Sequence, residues 1–586
     1  MKNDELHELA RLYSIQLTYE DAGGKKRAAS REALQAILRA RTGNDELDDA
    51  LRKRREECAR RAMEPVTVVW GRGRVGREGE PYELTLESGE RVEGRGKVEA
   101  PVGYHTLKIG GNETALFVAP RRAPRPEKRW GLFAPLYAIH TRNTGAMGDL
   151  ADMRAYRDWI AELGGSVVAT LPLLAIDPEG DPSPYSPISR LFWNELYLDV
   201  RQLPEYQGEQ LEQVEAESID YKAVAKAKGA LLEKLSRRFD GDVSDEVKDY
   251  ARFRGDERYH SYVQHRMSEQ MRAQQDLYLD FPLGVSPNGY DVHRYKEHFA
   301  QGVSVGAPPD LFFTKGQNWG FPPLDPDATR LRRHDYWRRC VRHHTRHAST
   351  LRIDHVMGLH RLFWIPNGAE AKDGVYVRYP EDELYAILLI EASRTNTAIV
   401  GEDLGTVPQY VPGAMKKRGL RRMYVVQYEQ KLNHPPAESV ASVNTHDMPT
   451  FAGFWNGDDI EDRLEQELLD QKGAQEEREK RAEIRGEIAA QLTARGLLQE
   501  GTENTLAVLQ AVLEFVAGSD AEIVLVNLED LWGEREPQNV PGVPGRSWRH
   551  RFRLSLEQTR NDETVTRILR AVAGRRRKVH GDNETE

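Results

Sequence analysis

Residues 350–366 read TLRIDHVMGLHRLFWIP. The opening TLRIDHVMG has the apolar density of a buried strand, yet Arg352, Asp354 and His355 stand inside it. Side chains two apart on a strand share a face, so Arg352 and Asp354 point the same way. In a parallel barrel that direction is the lumen, and chemistry sits where the strands pass into the following loops. A buried arginine beside a buried aspartate then sets the ionisation of the acid.

Working outward, the same strand character recurs in WGLFAPLYAI (130–139), SVVATLPLLA (166–175), LYLDFPLGV (277–285), TAIVGEDLG (397–405), RMYVVQYE (422–429), ESVASVNTHD (438–447) and EIVLVNLED (522–530). Most follow a helical stretch, such as DLADMRAYRDWIAELGG with its C-terminal glycines. Eight strands in this rhythm make an α/β chain with a (β/α)8 TIM barrel the leading architecture, ahead of a doubly wound sheet. The expected organisation is an N-terminal helical segment over 1–63, a small β-sandwich over 64–120, and the barrel over 128–575. Helical insertions are expected near 205–275 and 457–516, and a charged tail over 576–586. The sandwich rests on short alternating segments (VTVVW, YELTLE, YHTLKI, ETALFVA), and RRAPRPEKR reads as the linker behind it.

The chain has 586 residues, 83 basic against 93 acidic, and a net charge of −10. Such a mixed-sign balance argues against a nucleic-acid binder. Two cysteines, Cys58 and Cys340, lie far apart without metal-ligand spacing, which fits a reduced cytoplasmic protein. MKNDELHELARLY lacks the apolar core of a secretion signal. No run of about eighteen apolar residues occurs, so membrane insertion is not expected.

Several strands end in acids: Asp354 in RID, Glu402 and Asp403 in VGED, Asp447 in NTHD. An Asp kept anionic by an Arg is a nucleophile or charge stabiliser, and a Glu near it in a dry pocket has its pKa raised and becomes a general acid. Retaining glycoside chemistry requires that pair. A third acid, Asp447, can grip sugar hydroxyls. The plain alternative for any one acid is a helix N-cap or an ion pair. Three acids with an arginine and a histidine at strand ends are read here as a site. Two long aromatic and amide-rich stretches, SPYSPISRLFWNELYLD (183–199) and GAPPDLFFTKGQNWGFPPLDP (306–326), suit sugar faces and hydroxyls.

These stretches, with LRIDHVMGLHRLFWIP, VGEDLGTVP, NTHDMPTFAGFW and QNVPGVPGRSWR, resemble the amylomaltases, or 4-α-glucanotransferases, relatives of the α-amylase superfamily. The resemblance runs from about residue 130 to 555 and implies a retaining 4-α-glucanotransferase acting on α-1,4-glucans and maltooligosaccharides with glucose as an acceptor. It implies Asp354 as nucleophile, Glu402 as acid/base and Asp447 as transition-state stabiliser. It further implies that Arg352 and His446 contact the reacting glucose, that Tyr185, Asp310, Gln317 and Trp319 line the cleft, and that Asn539 and Pro541 touch the glucan. No cofactor or metal is implied. Two stretches depart from the family pattern: IHTRNTGAMGDL lacks an aromatic before the Gly, and SPNGYDVHRY lacks a Trp after the Asp-Val pair.

Two rival readings remain at this stage. One is an α-amylase-type hydrolase using the same acids, against which GQNWG and NVPG resemble the transferases. The other is a non-catalytic glucan-binding scaffold, against which stand the intact Asp354, Glu402 and Asp447.

Overall fold

The computed structural model describes residues 1–21, 24–76, 78–145, 147–212, 214, 218–274, 276–309, 315–540 and 545–581. Eight strands form one parallel sheet: β1 (Arg129–Phe133), β2 (Val167–Ala169), β3 (Leu277–Phe281), β4 (Thr350–Ile353), β5 (Ala398–Gly401), β6 (Arg422–Val425), β7 (Ser439–Ser442) and β8 (Ile523–Asn527). Each pairs with the next in sequence, β8 returns to β1, and a single parallel bridge between Val400 and Arg421 joins β5 to β6. The result is the (β/α)8 barrel expected from the eight apolar stretches.

Alternation decides what each strand sends inside. Tyr278, Val400, Val440 and Ile523 pack together in the lumen. Leu279, Leu351, Ile399 and Val524 face outward under the helices. By the same parity Asp280 and Arg352 belong to the lumen, and the register sets them opposite one another on β3 and β4.

The strands are shorter than the apolar runs suggest. TLRIDHVMG leaves the sheet after Ile353 and enters a 3-10 turn at Val356–Leu359, and RMYVVQYE turns into helix at Val426–Glu429. The remainder of the opening stretch, Arg361–Pro366, is a strand of a separate four-stranded antiparallel sheet with Val303–Ala307, Gln317–Asn318 and Val375–Arg378. Helix Arg31–Thr42 packs against this sheet, and Gln16 and Ser14 pair with its edge at Tyr376 and Arg378.

Two expectations need correction. The segment expected as a small sandwich folds as one five-stranded sheet, not two. One of its faces carries Leu84, Leu107, Leu116 and Val118. The other, through Phe117, joins the main core against helix Glu381–Thr395, which takes the place of a second sheet. Within the expected insertion 457–516, helix Thr505–Ala517 is a packing helix of the barrel. Its Val508, Leu509, Val512, Leu513 and Val516 are buried, because this stretch is apolar where the preceding Gln471–Ala494 is charged. No described helix is long and apolar enough to cross a membrane.

Candidate active site

The polar residues of the opening stretch converge at the C-terminal mouth of the barrel. Arg352 is buried, and its Nη1 lies 2.7 Å from both carboxylate oxygens of Asp280 and 3.1 Å from Oδ1 of Asp354. The backbone N–H of Leu283 donates to the other Asp354 oxygen at 3.4 Å. The next residue, His355, adopts a left-handed backbone (φ 46°, ψ 66°), which turns the chain toward β5. Its N–H then donates to Glu402 Oε2 at 3.0 Å, while the Leu404 N–H donates to Oε1 at 2.7 Å. Both oxygens of Glu402 are thereby oriented by main chain.

Asp447 lies at the rim with 46% of its side chain exposed. Its carboxylate sits 3.1 Å from His446 Nε2 and accepts from Asn539 Nδ2 at 2.8 Å. The His446 ring is stacked between Phe133 and Tyr185, at 5.6 and 5.3 Å. The Tyr185 hydroxyl donates to Asp280 at 2.6 Å, and its oxygen lies 2.6 Å from His446 Nε2. A phenol has one proton, so His446 Nε2 is the donor in that second contact. One continuous network therefore runs from Asp354 through Arg352, Asp280, Tyr185 and His446 to Asp447 and Asn539.

Burial pushes the Asp354 carboxyl up to about 6, with Arg352 pulling the other way and Asp280 and Asp447 adding repulsion. Arg352 does not hold this acid low, because desolvation outweighs its pull and the guanidinium also serves Asp280. At neutral pH Asp354 is still an anion. Burial raises Glu402 further, to about 8, with Arg352 opposing and the Asp354 charge reinforcing, so Glu402 is protonated at neutral pH. Asp447 goes the opposite way: desolvation in the cleft would raise it, but the His446 charge and hydrogen bond, Arg352 and Asn539 outweigh that and hold it below the usual carboxylate range.

Among the site residues expected from the sequence, Asp354, Glu402, Asp447, Arg352, His446, Tyr185 and Asn539 come together here. Trp319 joins through His355, its ring set edge-on at 5.3 Å, and its indole N–H donates to Gln317 Oε1 at 3.0 Å. Asp310 and Pro541 lie outside the described residues. Asp403, also read as a strand-end acid, faces away: it pairs with Arg422 and accepts from the Met423 N–H on β6. Asp291 is fully buried and accepts from Ser189, the Arg190 N–H and Tyr336, which ties the 183–199 loop to helix Asp335–Thr345 rather than to the site. Sequence reasoning missed Asp280 and Trp548. The signal for Asp280 was its two-residue spacing from Tyr278, opposite Arg352. Among the described residues no group of three or more His, Cys, Asp or Glu side chains is placed to hold a metal ion.

A parallel barrel that brings Asp354 and Glu402 together at adjacent strand ends has the layout of a (β/α)8 enzyme with a carboxyl pair at its mouth. Residues 134–260 and 255–556 match the Glyco_hydro_77 family, described as 4-alpha-glucanotransferase, and the chain belongs to that family. It is similar to the 4-alpha-glucanotransferase of Mycobacterium tuberculosis, at 29% identity with 93% of this chain and 94% of the relative covered. The crystal structure of amylomaltase from Corynebacterium glutamicum superposes with a TM-score of 0.86 at 24% identity, covering 97% of this chain and all (100%) of that one. The amylomaltase of Streptococcus agalactiae, solved in complex with acarbose, gives 0.62 at 18% identity, covering 76% and 98%. The two structures bear on the fold, and the family match makes the protein a 4-alpha-glucanotransferase.

Proposed function

We propose that the protein transfers α-1,4-glucan segments between maltooligosaccharides by a retaining double displacement, with Asp354 as nucleophile, Glu402 as acid/base and Asp447 as stabiliser of the transition state. The observation that carries this reading is the pairing of Asp354 and Glu402 on adjacent strand ends, in surroundings that leave one ionised and the other protonated at neutral pH.

Asp354 attacks the anomeric carbon as the bond from that carbon to the glycosidic oxygen breaks, and Glu402 gives its proton to the departing oxygen. The product is a glycosyl ester on Asp354 and a shortened chain. Esterification removes the Asp354 charge, one of the influences holding the Glu402 pKa up. Glu402 is then free to take the proton of an acceptor 4-OH, which attacks the same carbon and releases Asp354. Two inversions give retention. Asp447, anionic and braced by His446 and Asn539, is placed to grip ring hydroxyls, and Tyr185 and Trp319 offer aromatic faces to the sugar. The Streptococcus agalactiae amylomaltase of similar fold was solved in complex with acarbose, which supports a carbohydrate ligand for this chain.

Transfer wins over hydrolysis when an acceptor is positioned at high effective concentration and water is not. Family membership favours transfer over the amylase-type alternative. A cytoplasmic site of action fits the two unpaired cysteines, Cys58 and Cys340. Incubation with maltotriose tests the reading. A ladder of longer maltooligosaccharides with released glucose is expected. Only shorter sugars would make the protein a hydrolase, and unchanged substrate would leave a binding role.

A further inference from the structure

Glu529 follows β8 in the 3-10 turn Leu528–Trp532 and is almost wholly enclosed, at 6% exposure. Among the described residues it has no cationic partner, which is unusual for a buried carboxyl. Instead its Oε2 accepts from the side-chain amide of Gln538 at 2.6 Å. Gln538 is itself 1% exposed. The carbonyl end of the same amide accepts from the Tyr137 hydroxyl at 2.8 Å, so the amide is gripped at both ends and cannot flip without losing both bonds. Burial pushes Glu529 up to about 8, against the pull of Gln538, so at neutral pH it is a neutral acceptor.

The residues that depend on Gln538 belong to the site. Its successor, Asn539, makes the 2.8 Å bond to Asp447. Its own carbonyl accepts from the Trp548 N–H at 2.8 Å, and the Trp548 ring lies 5.6 Å from Tyr185 and 6.1 Å from His446. Glu529 touches none of the reacting groups. Among the described residues its side chain reaches them through the Gln538 amide.

We propose that Glu529 is a positioning residue for glucan transfer: through Gln538 it sets the Asn539–Asp447 contact at the rim of the cleft. This rests on the reading of Asp447 as a site carboxylate. A carboxyl kept only for folding would lower stability when replaced and leave turnover of the folded protein alone. A positioning carboxyl lowers kcat through Asn539.

The test is a double-mutant cycle on the full chain with maltotriose, with folding checked by thermal melting. Glu529→Leu is expected to lower kcat by about tenfold, the scale of one buried hydrogen bond lost, with a smaller change in KM. Glu529→Gln, which keeps an acceptor oxygen and the shape, restores most of that kcat. In an Asn539→Ala background, Glu529→Leu adds little, because both changes act on one contact. Independent, multiplicative effects, or a Glu529→Leu enzyme with lowered Tm and unchanged kcat, would overturn the proposal. If Glu529→Leu does not fold, Glu529→Asp, which keeps the carboxyl but withdraws it from the Gln538 amide, carries the same cycle with the same two outcomes. Full activity in Asp447→Asn would instead overturn the site reading beneath it, a result separable from any outcome of the cycle.

Discussion

The backbone N–H of His355, the residue after Asp354, donates to Oε2 of Glu402 at 3.0 Å. That bond exists because His355 takes a left-handed conformation, φ 46°, which ordinary residues avoid. The turn brings two strand ends into one geometry: the main chain next to the proposed nucleophile orients the proposed acid/base. Residues held in such conformations cluster where function requires them.

Asn tolerates left-handed backbone and a β-branched residue does not. His355→Val is therefore expected to cost stability of order 1–3 kcal/mol and to lower kcat by about tenfold or more. His355→Asn stays much closer to the parent, within about threefold, since its backbone can keep the N–H in place. Steady-state kinetics on maltotriose beside melting curves check this. Equal loss in the two variants would mean the imidazole, not the backbone, matters.

The pH dependence follows from the two carboxyls. Below about 6 Asp354 takes up a proton and ceases to be a nucleophile. Above about 8 Glu402 loses its proton and cannot assist departure. Activity should be bell-shaped between these limits. With a glycosyl fluoride donor, whose leaving group needs no proton, formation of the glycosyl-enzyme should lose the alkaline limb. An alkaline limb unchanged with the fluoride would remove the acid role from Glu402.

Asp280 shares the Arg352 guanidinium with Asp354. Asp280→Asn withdraws the competing charge, so Arg352 pulls harder on Asp354 and the acid limb of the profile moves to lower pH. The same change uncouples a buried pair, and the expected loss of stability approaches about 3–5 kcal/mol. Denaturant melts and a pH profile of the variant measure both. An acid limb moving upward would contradict the assignment.

The five-stranded N-terminal sheet is bound to the barrel by more than a linker. The Arg338 guanidinium lies 3.7 Å from the Tyr104 ring centre and that of Arg418 3.3 Å from Trp70. Glu64 and Glu113 pair with Arg330 and Arg333. Removing residues 1–120 uncovers the apolar helix Glu381–Thr395, so the shortened chain is expected to aggregate or melt far lower. A soluble, fully active truncation would make the sheet a separable module.

Parallel strands buried on both faces give unbroken apolar runs, which is why all eight barrel strands are legible in the sequence. Their ends are not, because the apolar run continues into turns that pack on the core, as at Val356–Leu359. Alternation likewise reveals the N-terminal strands without saying what covers their second face, and a helix covers it. The strand-end acids Asp354, Glu402 and Asp447 stand out, but position alone did not separate Glu402 from Asp403, which points to Arg422 on the next strand. Asp280 stayed hidden inside LYLDF, since its meaning depends on the pairing that sets it opposite Arg352.

The most direct measurement is to treat Glu402→Gln with an α-maltosyl fluoride and map the modified peptide by mass spectrometry. The fluoride leaves without an acid, and without Glu402 as base the ester has no efficient route to an acceptor. The account predicts a glycosyl ester that accumulates on Asp354. A label on another residue, or normal transfer by the variant with no ester formed, would contradict it.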